Sequence, residues 1–324
     1  MSDLLGDGIF TVDGEQWRHQ RKAASYQFST KMLRNFSSSV FQTNAVKLAR
    51  IVSEAAISNI IELQDLFLKS TLDFVCKVIL GVELDTVCGN YKEGTEFSKA
   101  FDEASAALMF RYFNFLWKIN RFLNIGSEAV LRRGKIQQQL LFPGSFTNSA
   151  SILVQAKIAQ EIREATNVAN GSSIDELAAR VTEENLEKMQ YLHSALNETL
   201  RLHPAVPVCK ERGDLVSFQP CVMGRMEFLW GEDAEEFRPE RWLDENGIFQ
   251  KESAFKFTAF QAGPRICLGK EFSYRQMKIY SAILLGSHSF KLAEPKKPIK
   301  YRTMLTLHID GGIGMHVYPF QREK

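Results

Sequence analysis

The sequence predicts a mainly α fold with a small β part, and three observations carry that expectation. Apolar residues recur at three- and four-residue intervals through most of residues 13–135, as in the stretches 46–61 and 66–80. Further helical runs follow at 154–166, 174–203 and 271–285. Strand-like segments are short and fall only after Pro204. With 324 residues, 45% of them hydrophobic, the chain has material for one large domain or two ordinary ones.

Taken in order, the first helix is expected to start near Asp13. Residues 142–151 are rich in Pro, Gly, Ser and Asn, break the periodicity and read as a joint. The helix at 174–203 must stop there, because Pro204 and Pro207 lack N–H donors and force the residues before them into extended conformations. Residues 215–222 read as a strand and 237–242 as an irregular loop. Residues 301–309 and 316–320, parted by Gly311, Gly312 and Gly314, suggest a terminal hairpin. Lys296, Lys297 and Lys300 read as a solvated turn. No internal repeat or low-complexity tract interrupts this order.

Composition removes several function classes. Lys and Arg outnumber Asp and Glu by 40 to 38, and a net charge of +2 argues against a dedicated nucleic-acid binder and against an acidic tail. The cysteines Cys76, Cys88, Cys209, Cys221 and Cys267 are odd in number and form no C-x-x-C pair, unlike a secreted disulfide framework or a zinc ribbon. A reducing compartment is the simpler expectation. No segment approaches the ~18 consecutive apolar residues of a membrane span, and residues 1–10 lack the layout of a signal peptide. The chain is therefore expected to be soluble, with no transmembrane segment of its own.

The densest motif is Phe260-Gln-Ala-Gly263-Pro-Arg265-Ile-Cys267-Leu-Gly269, which has the spacing F-x-x-G-x-R-x-C-x-G. Five fixed positions in ten residues arise by chance on the order of once in ten thousand chains of this length. Three more features accompany it. Glu198-Thr-Leu-Arg201 places carboxylate and guanidinium on one helix face just before Leu202-His203-Pro204. The same spacing occurs at Glu15/Arg18 and Glu235/Arg238, so only context singles it out. Phe237-Arg-Pro-Glu-Arg241-Trp242 follows in a downstream loop, and Trp17 and Arg21 stand four apart on the first helix. The bland alternatives are an inert buried thiol at Cys267, a surface ion pair at Glu198, and a core Trp17 beside a solvated Arg21.

Together these motifs resemble the cytochrome P450 superfamily of haem-thiolate monooxygenases, from the Trp17 helix to the last hairpin. The resemblance makes Cys267 the thiolate ligand of the iron of haem b, iron protoporphyrin IX. It implies a propionate partner in Arg265, a water-excluding aromatic wall in Phe260, and close backbone approach at Gly263 and Gly269. Trp17 and Arg21 resemble the family's propionate clamp. Glu198, Arg201 and Arg241 resemble its buried structural cluster, which pins the cysteine loop to the helical body. Met223-Gly-Arg-Met-Glu-Phe-Leu-Trp230 and Phe257-Thr-Ala-Phe-Gln-Ala262 are similar to plant enzymes that hydroxylate fatty acids at or near the chain end. The implied partners are an apolar small-molecule substrate and an NADPH-dependent reductase, with Arg18 and Lys22 on a candidate docking face.

The resemblance also has gaps. One P450-like domain over residues 1–324 is expected, with an N-terminal helical part at 13–141 and a C-terminal haem-binding part at 154–324. Its fold is expected to be incomplete. The family's membrane anchor and first elements have no counterpart, so the endoplasmic-reticulum membrane is implied only by resemblance, beside a cytoplasmic or peripheral location. Residues 207–215 leave little room for the strand pair that in the family precedes the strand starting near Leu215. No A-G-x-[DE]-T motif occurs, so no distal catalytic acid and alcohol are assigned. Leu141-Phe-Pro-Gly-Ser-Phe passes almost directly into Ala156-Lys-Ile-Ala-Gln-Glu-Ile-Arg163. The expected activity is monooxygenation of a long-chain fatty acid. The alternative is an inactive truncated copy that at most binds haem or a partner. His203 is read as structural, and Phe110, Phe113, Phe115 and Phe122 as core. A zinc site lacks paired Cys or His spacing, and a cysteine nucleophile lacks a linked base.

Overall fold

The computed structural model describes residues 5–29, 31–55, 60–89, 152–206, 209–210 and 217–320, with parts of 96–123. The predicted joint at 142–151, and Phe110, Phe113 and Phe115, lie outside the described residues.

The first half is helical, as its periodicity predicts: α1 (Gly14–Ser29), α2 (Lys31–Ala55), α3 (Leu63–Val75) with a π-helical turn at Cys76–Leu80, and α4 (Trp117–Leu123). The 46–61 pattern does not stay helical to its end. Ile61–Glu62 forms strand β1, and the Glu62 carboxylate caps α3 by accepting from the N–H groups of Gln64 and Asp65. Phe122, expected in the core, is 86% exposed.

In the second half α5 (Ile152–Thr166) leads to what the sequence presents as one helix over 174–203. Three form instead: α6 (Ile174–Arg180), α7 (Glu183–Lys188) and α8 (Gln190–Leu202). The breaks have local causes. Thr182 caps α7 through its side chain, and the carboxylate of Glu161, on α5, accepts from the N–H groups of Tyr191 and Leu192 at 2.7 and 2.8 Å, capping α8 from across the core.

The expected strand over 215–222 is also corrected. Cys209–Lys210 (β2) pairs with Ser217–Phe218 (β3), the described part of that strand, and Pro220 then starts a helical turn, α9 (Pro220–Met223). A second turn, α10 (Glu227–Trp230), and a 3-10 turn at Pro239–Trp242 follow. The long helix α11 (Lys270–Ser287) runs directly into β4 (His288–Leu292).

The C-terminal hairpin has different partners from those expected. Tyr301–Thr303 (β5) and Leu307–Ile309 (β6) pair with each other. Gly314–Pro319 (β7) joins β4 on one side and β1 on the other, giving the antiparallel order β1-β7-β4. The core lies where α2, α5, α8 and α11 meet, with Phe41, Leu48, Ile158, Ile162, Leu192, Ile279 and Ile283 buried together. Among the described residues no helix is long and apolar enough to cross a membrane.

Candidate haem site

Residues 260–269 form a tight loop ahead of α11. The Cys267 N–H donates to the Phe260 carbonyl at 2.8 Å, and the Ile266 N–H donates to Gly263 at 3.1 Å. Gln261 and Gly263 both take left-handed backbone, with φ of 65° and 69°. Glycine at 263 takes that conformation without strain, and a Cβ there would meet no protein atom within 4 Å. At Gly269 a Cβ would stand 3.8 Å from both Cys267 Sγ and Phe28 Cε1, an ordinary contact.

Burial pushes the Cys267 thiol up, while the Gly269 N–H and the charges of Arg21 and Lys270 pull it back down. The protein alone thus favours the protonated thiol, and a coordinated metal ion would favour the thiolate. Helix α11 starts at Lys270, so its N-terminal end faces this loop. The Phe260 ring packs on Tyr274 with centroids 5.2 Å apart.

Helix α1 supplies the neighbouring cations and the indole. Arg21 Nη2 donates to the Ile266 carbonyl at 2.5 Å, which ties α1 to the residue before Cys267. Burial lowers the Arg21 pKa from its usual value, and the nearby Cys267 offsets part of this. The Arg265 guanidinium lies 4.6 Å from the centre of the Trp17 ring and donates to the Asp13 carboxylate. Fold thus brings together Trp17, Arg21, Arg265, Cys267, Gly269 and the Phe260 carbonyl. Asp13, Phe28 and Lys270 belong to the same neighbourhood and were not foreseen. The run Asp13-Gly14-Glu15-Gln16-Trp17 carries a signal for the first of them, an acid at a helix start.

A second cluster joins α8 to the 3-10 turn at Pro239–Trp242. Glu198 and Arg201 form a fully buried bidentate pair, with both contacts at 2.7 Å. Arg241 Nε reaches Glu198 Oε1 at 3.1 Å. The Arg238 N–H and the Trp242 indole N–H donate to the same carboxylate at 2.9 and 3.0 Å. Burial alone would raise the Glu198 pKa, but these donors and the Arg201 charge hold it below its usual range. Asp233, also missed from sequence, accepts from Arg241 Nη1 at 3.0 Å and supplies a second carboxylate beside Glu198. The close packing needs Gly224, where a Cβ would sit 2.0 Å from the Arg201 carbonyl oxygen. The other pairs of this spacing differ. Glu15 and Arg18 meet on the surface, and Arg238 pairs with Asp233 instead of Glu235. His203 is buried against Tyr301, and burial with the charges of Arg225 and Arg201 lowers it to about 4, which keeps it neutral.

The structure thus holds a thiol loop tied to the Trp17/Arg21 helix and, separately, a buried cluster of Glu198, Arg201 and Arg241. A family model described as Cytochrome P450 matches residues 2–141 and 153–313. The chain belongs to the cytochrome P450 family. It is 39% identical to cytochrome P450 704C1 of Pinus taeda, over 98% of this chain and 79% of that protein. It is 34% identical to cytochrome P450 704B1 of Arabidopsis thaliana, over 98% and 80%, and 31% identical to cytochrome P450 86B1 of the same plant, over 97% and 71%. The alignment with the Pinus taeda protein spans 410 positions. A chain of 324 residues therefore leaves at least 86 positions of that relative without a counterpart inside the matched span.

Membership of the P450 family makes the chain a monooxygenase-type oxidoreductase with a haem-iron cofactor, a small-molecule substrate and a redox partner. The residues present fit one face of haem. A single thiol stands in a field of cations, and the Arg265 guanidinium and Trp17 indole lie together at one edge, as an anionic porphyrin edge requires.

Proposed function

We propose that the chain holds haem b through Cys267 as the thiolate ligand and acts as a monooxygenase on a long-chain fatty acid. The observation that carries this reading is the convergence of Trp17 and Arg21 with Arg265 and Cys267, a pair more than 240 positions further along the chain, around one loop. The fatty-acid class rests on the two sequence stretches that resemble plant hydroxylases and on relatives that are plant P450s. Haem b, when bound, supplies the activation of dioxygen, one atom of which enters a C–H bond while the other leaves as water, at the expense of two electrons.

The chain's own residues have separate tasks in this reading. Cys267 would hold the metal ion as a thiolate, its Sγ proton passing to solvent, and the Gly269 N–H with the Arg21 and Lys270 charges would stabilise that anion. Phe260, with its ring on Tyr274, keeps water from the sulfur. Arg265 and the Trp17/Arg21 pair would receive the propionates. Arg21 pins the loop through the Ile266 carbonyl. The Glu198, Arg201 and Arg241 cluster fixes the loop's support. Electrons come from NADPH through a reductase, and the compartment is the endoplasmic-reticulum membrane surface.

One observation favours a second reading. The family match breaks between residues 141 and 153, where the family's central helix with its acid and alcohol is expected, and the sequence contains no A-G-x-[DE]-T motif. A chain without those groups controls proton delivery poorly, so it would bind haem and turn over little substrate.

Two measurements separate these readings. Full-length chain given haem and reduced under carbon monoxide should show the strongly red-shifted Soret band of thiolate ligation, and Cys267→Ala should not. An unshifted band in the parent chain sinks the ligand assignment. With reductase and a fatty acid, hydroxylated product matching NADPH consumption supports the monooxygenase, whereas NADPH consumption without product supports the inactive copy.

A further inference from the structure

Building on the haem reading above, we propose that Asp13 competes with a haem propionate for the guanidinium of Arg265 and so sets the affinity of the chain for its cofactor. Asp13 stands at the start of α1, where its carbonyl accepts from the Trp17 N–H at 3.3 Å. Its carboxylate accepts from Arg265 Nη2, 252 positions away in sequence, while the same guanidinium lies over the Trp17 ring. The three side chains form one unit, in which an aliphatic carboxylate already sits on the cation that a propionate would use.

The exposure of the pair says what it is for. Arg265 and Asp13 side chains are 39% and 48% exposed, and an ion pair that open contributes little to folding. The Arg241 and Asp233 pair is the contrast, 8% and 24% exposed and tied to further backbone acceptors. A propionate is chemically the same group as the Asp13 side chain, so the two share one charge. Removing the Asp13 charge while keeping its shape should therefore free Arg265 and tighten haem binding.

The test is a titration of the full-length chain and its Asp13→Asn variant with haemin, followed at the Soret band. Asparagine caps a helix as well as aspartate does, so the variant keeps α1, which circular dichroism verifies. The variant should bind about three- to fivefold more tightly, the range an exposed ion pair allows, and the advantage should shrink as salt is raised. Haemin dimethyl ester, whose carboxylates are masked, should bind both proteins equally. Equal or weaker haemin binding by the variant overturns the proposal, as does the same gain with the dimethyl ester. Failure of the parent chain to give a thiolate-type spectrum is a different result, read before any variant is compared, and it removes the haem assignment together with this inference.

Discussion

Around Glu198, two guanidiniums, an indole and a backbone N–H converge on one carboxylate, and the remaining arginine donors reach Asp233 and the backbone carbonyls of Gly224, Trp230, Ala234 and Glu236. Around Cys267 the partners are looser. The thiol is shifted away from its anionic form by burial, and Arg265 is held by an exposed carboxylate and a ring face. The first cluster closes its hydrogen-bond inventory within the protein and the second leaves charge available at an edge. That difference separates a group set that serves the fold from one suited to a ligand.

The largest expected effect lies in the closed cluster. Glu198→Gln should destabilise the chain by about 3–5 kcal/mol, because Arg201 and Arg241 would stay buried without their shared anion. Urea unfolding followed by circular dichroism measures this, and a loss under 1 kcal/mol would erase the contrast. Acid should weaken the same half of the molecule. Burial lowers His193 to about 3, and His203 and His288 to about 4, against about 6.5 in an unfolded chain. Below pH ~6.5 the unfolded chain takes up protons that the folded one refuses, so stability is complete above that pH and is lost towards pH ~4. The depressed Glu198 pKa acts lower still, its contribution being complete above the ordinary glutamate value and lost as pH falls through the folded one. A loss on the order of 1 kcal/mol per histidine between pH 7 and 5 is expected, and an unfolding midpoint that does not move over this interval would contradict it.

The open site should respond in binding instead of stability. Arg265→Met should leave the unfolding midpoint within about 1 kcal/mol of the parent, since its ion pair is exposed. Haemin affinity should fall roughly tenfold or more, the loss expected for a hydrogen bond to a charged group. The smallest effect belongs to Glu15→Ala. Its pair with Arg18 has the same three-residue spacing as Glu198 and Arg201 but is 84% and 69% exposed, and under 0.5 kcal/mol should be lost. A comparable cost for Glu15 and Glu198 would show that spacing and not burial decides.

Much of the site was legible because its motifs are local. The F-x-x-G-x-R-x-C-x-G loop, the helix start near Asp13 and the stop before Pro204 each depend on residues within a few positions of one another. The errors share a cause of the opposite kind. The run 174–203 breaks into three helices partly because Glu161 caps α8 from another element, and β7 pairs with β4 and β1 because both edges lie beside it in the folded chain. Asp233 was invisible because nothing in its neighbourhood marks it as the second anion of a buried cluster.

By itself the sequence determined the cysteine loop and the helical character of the chain, since both depend on residue order alone. Only the tertiary structure decided which of three E-x-x-R pairs is buried, which carboxylate meets Arg265 and which edges β7 joins. Those choices follow from which surfaces lose water together, and residues as far apart as Asp13 and Arg265 carry no local record of it.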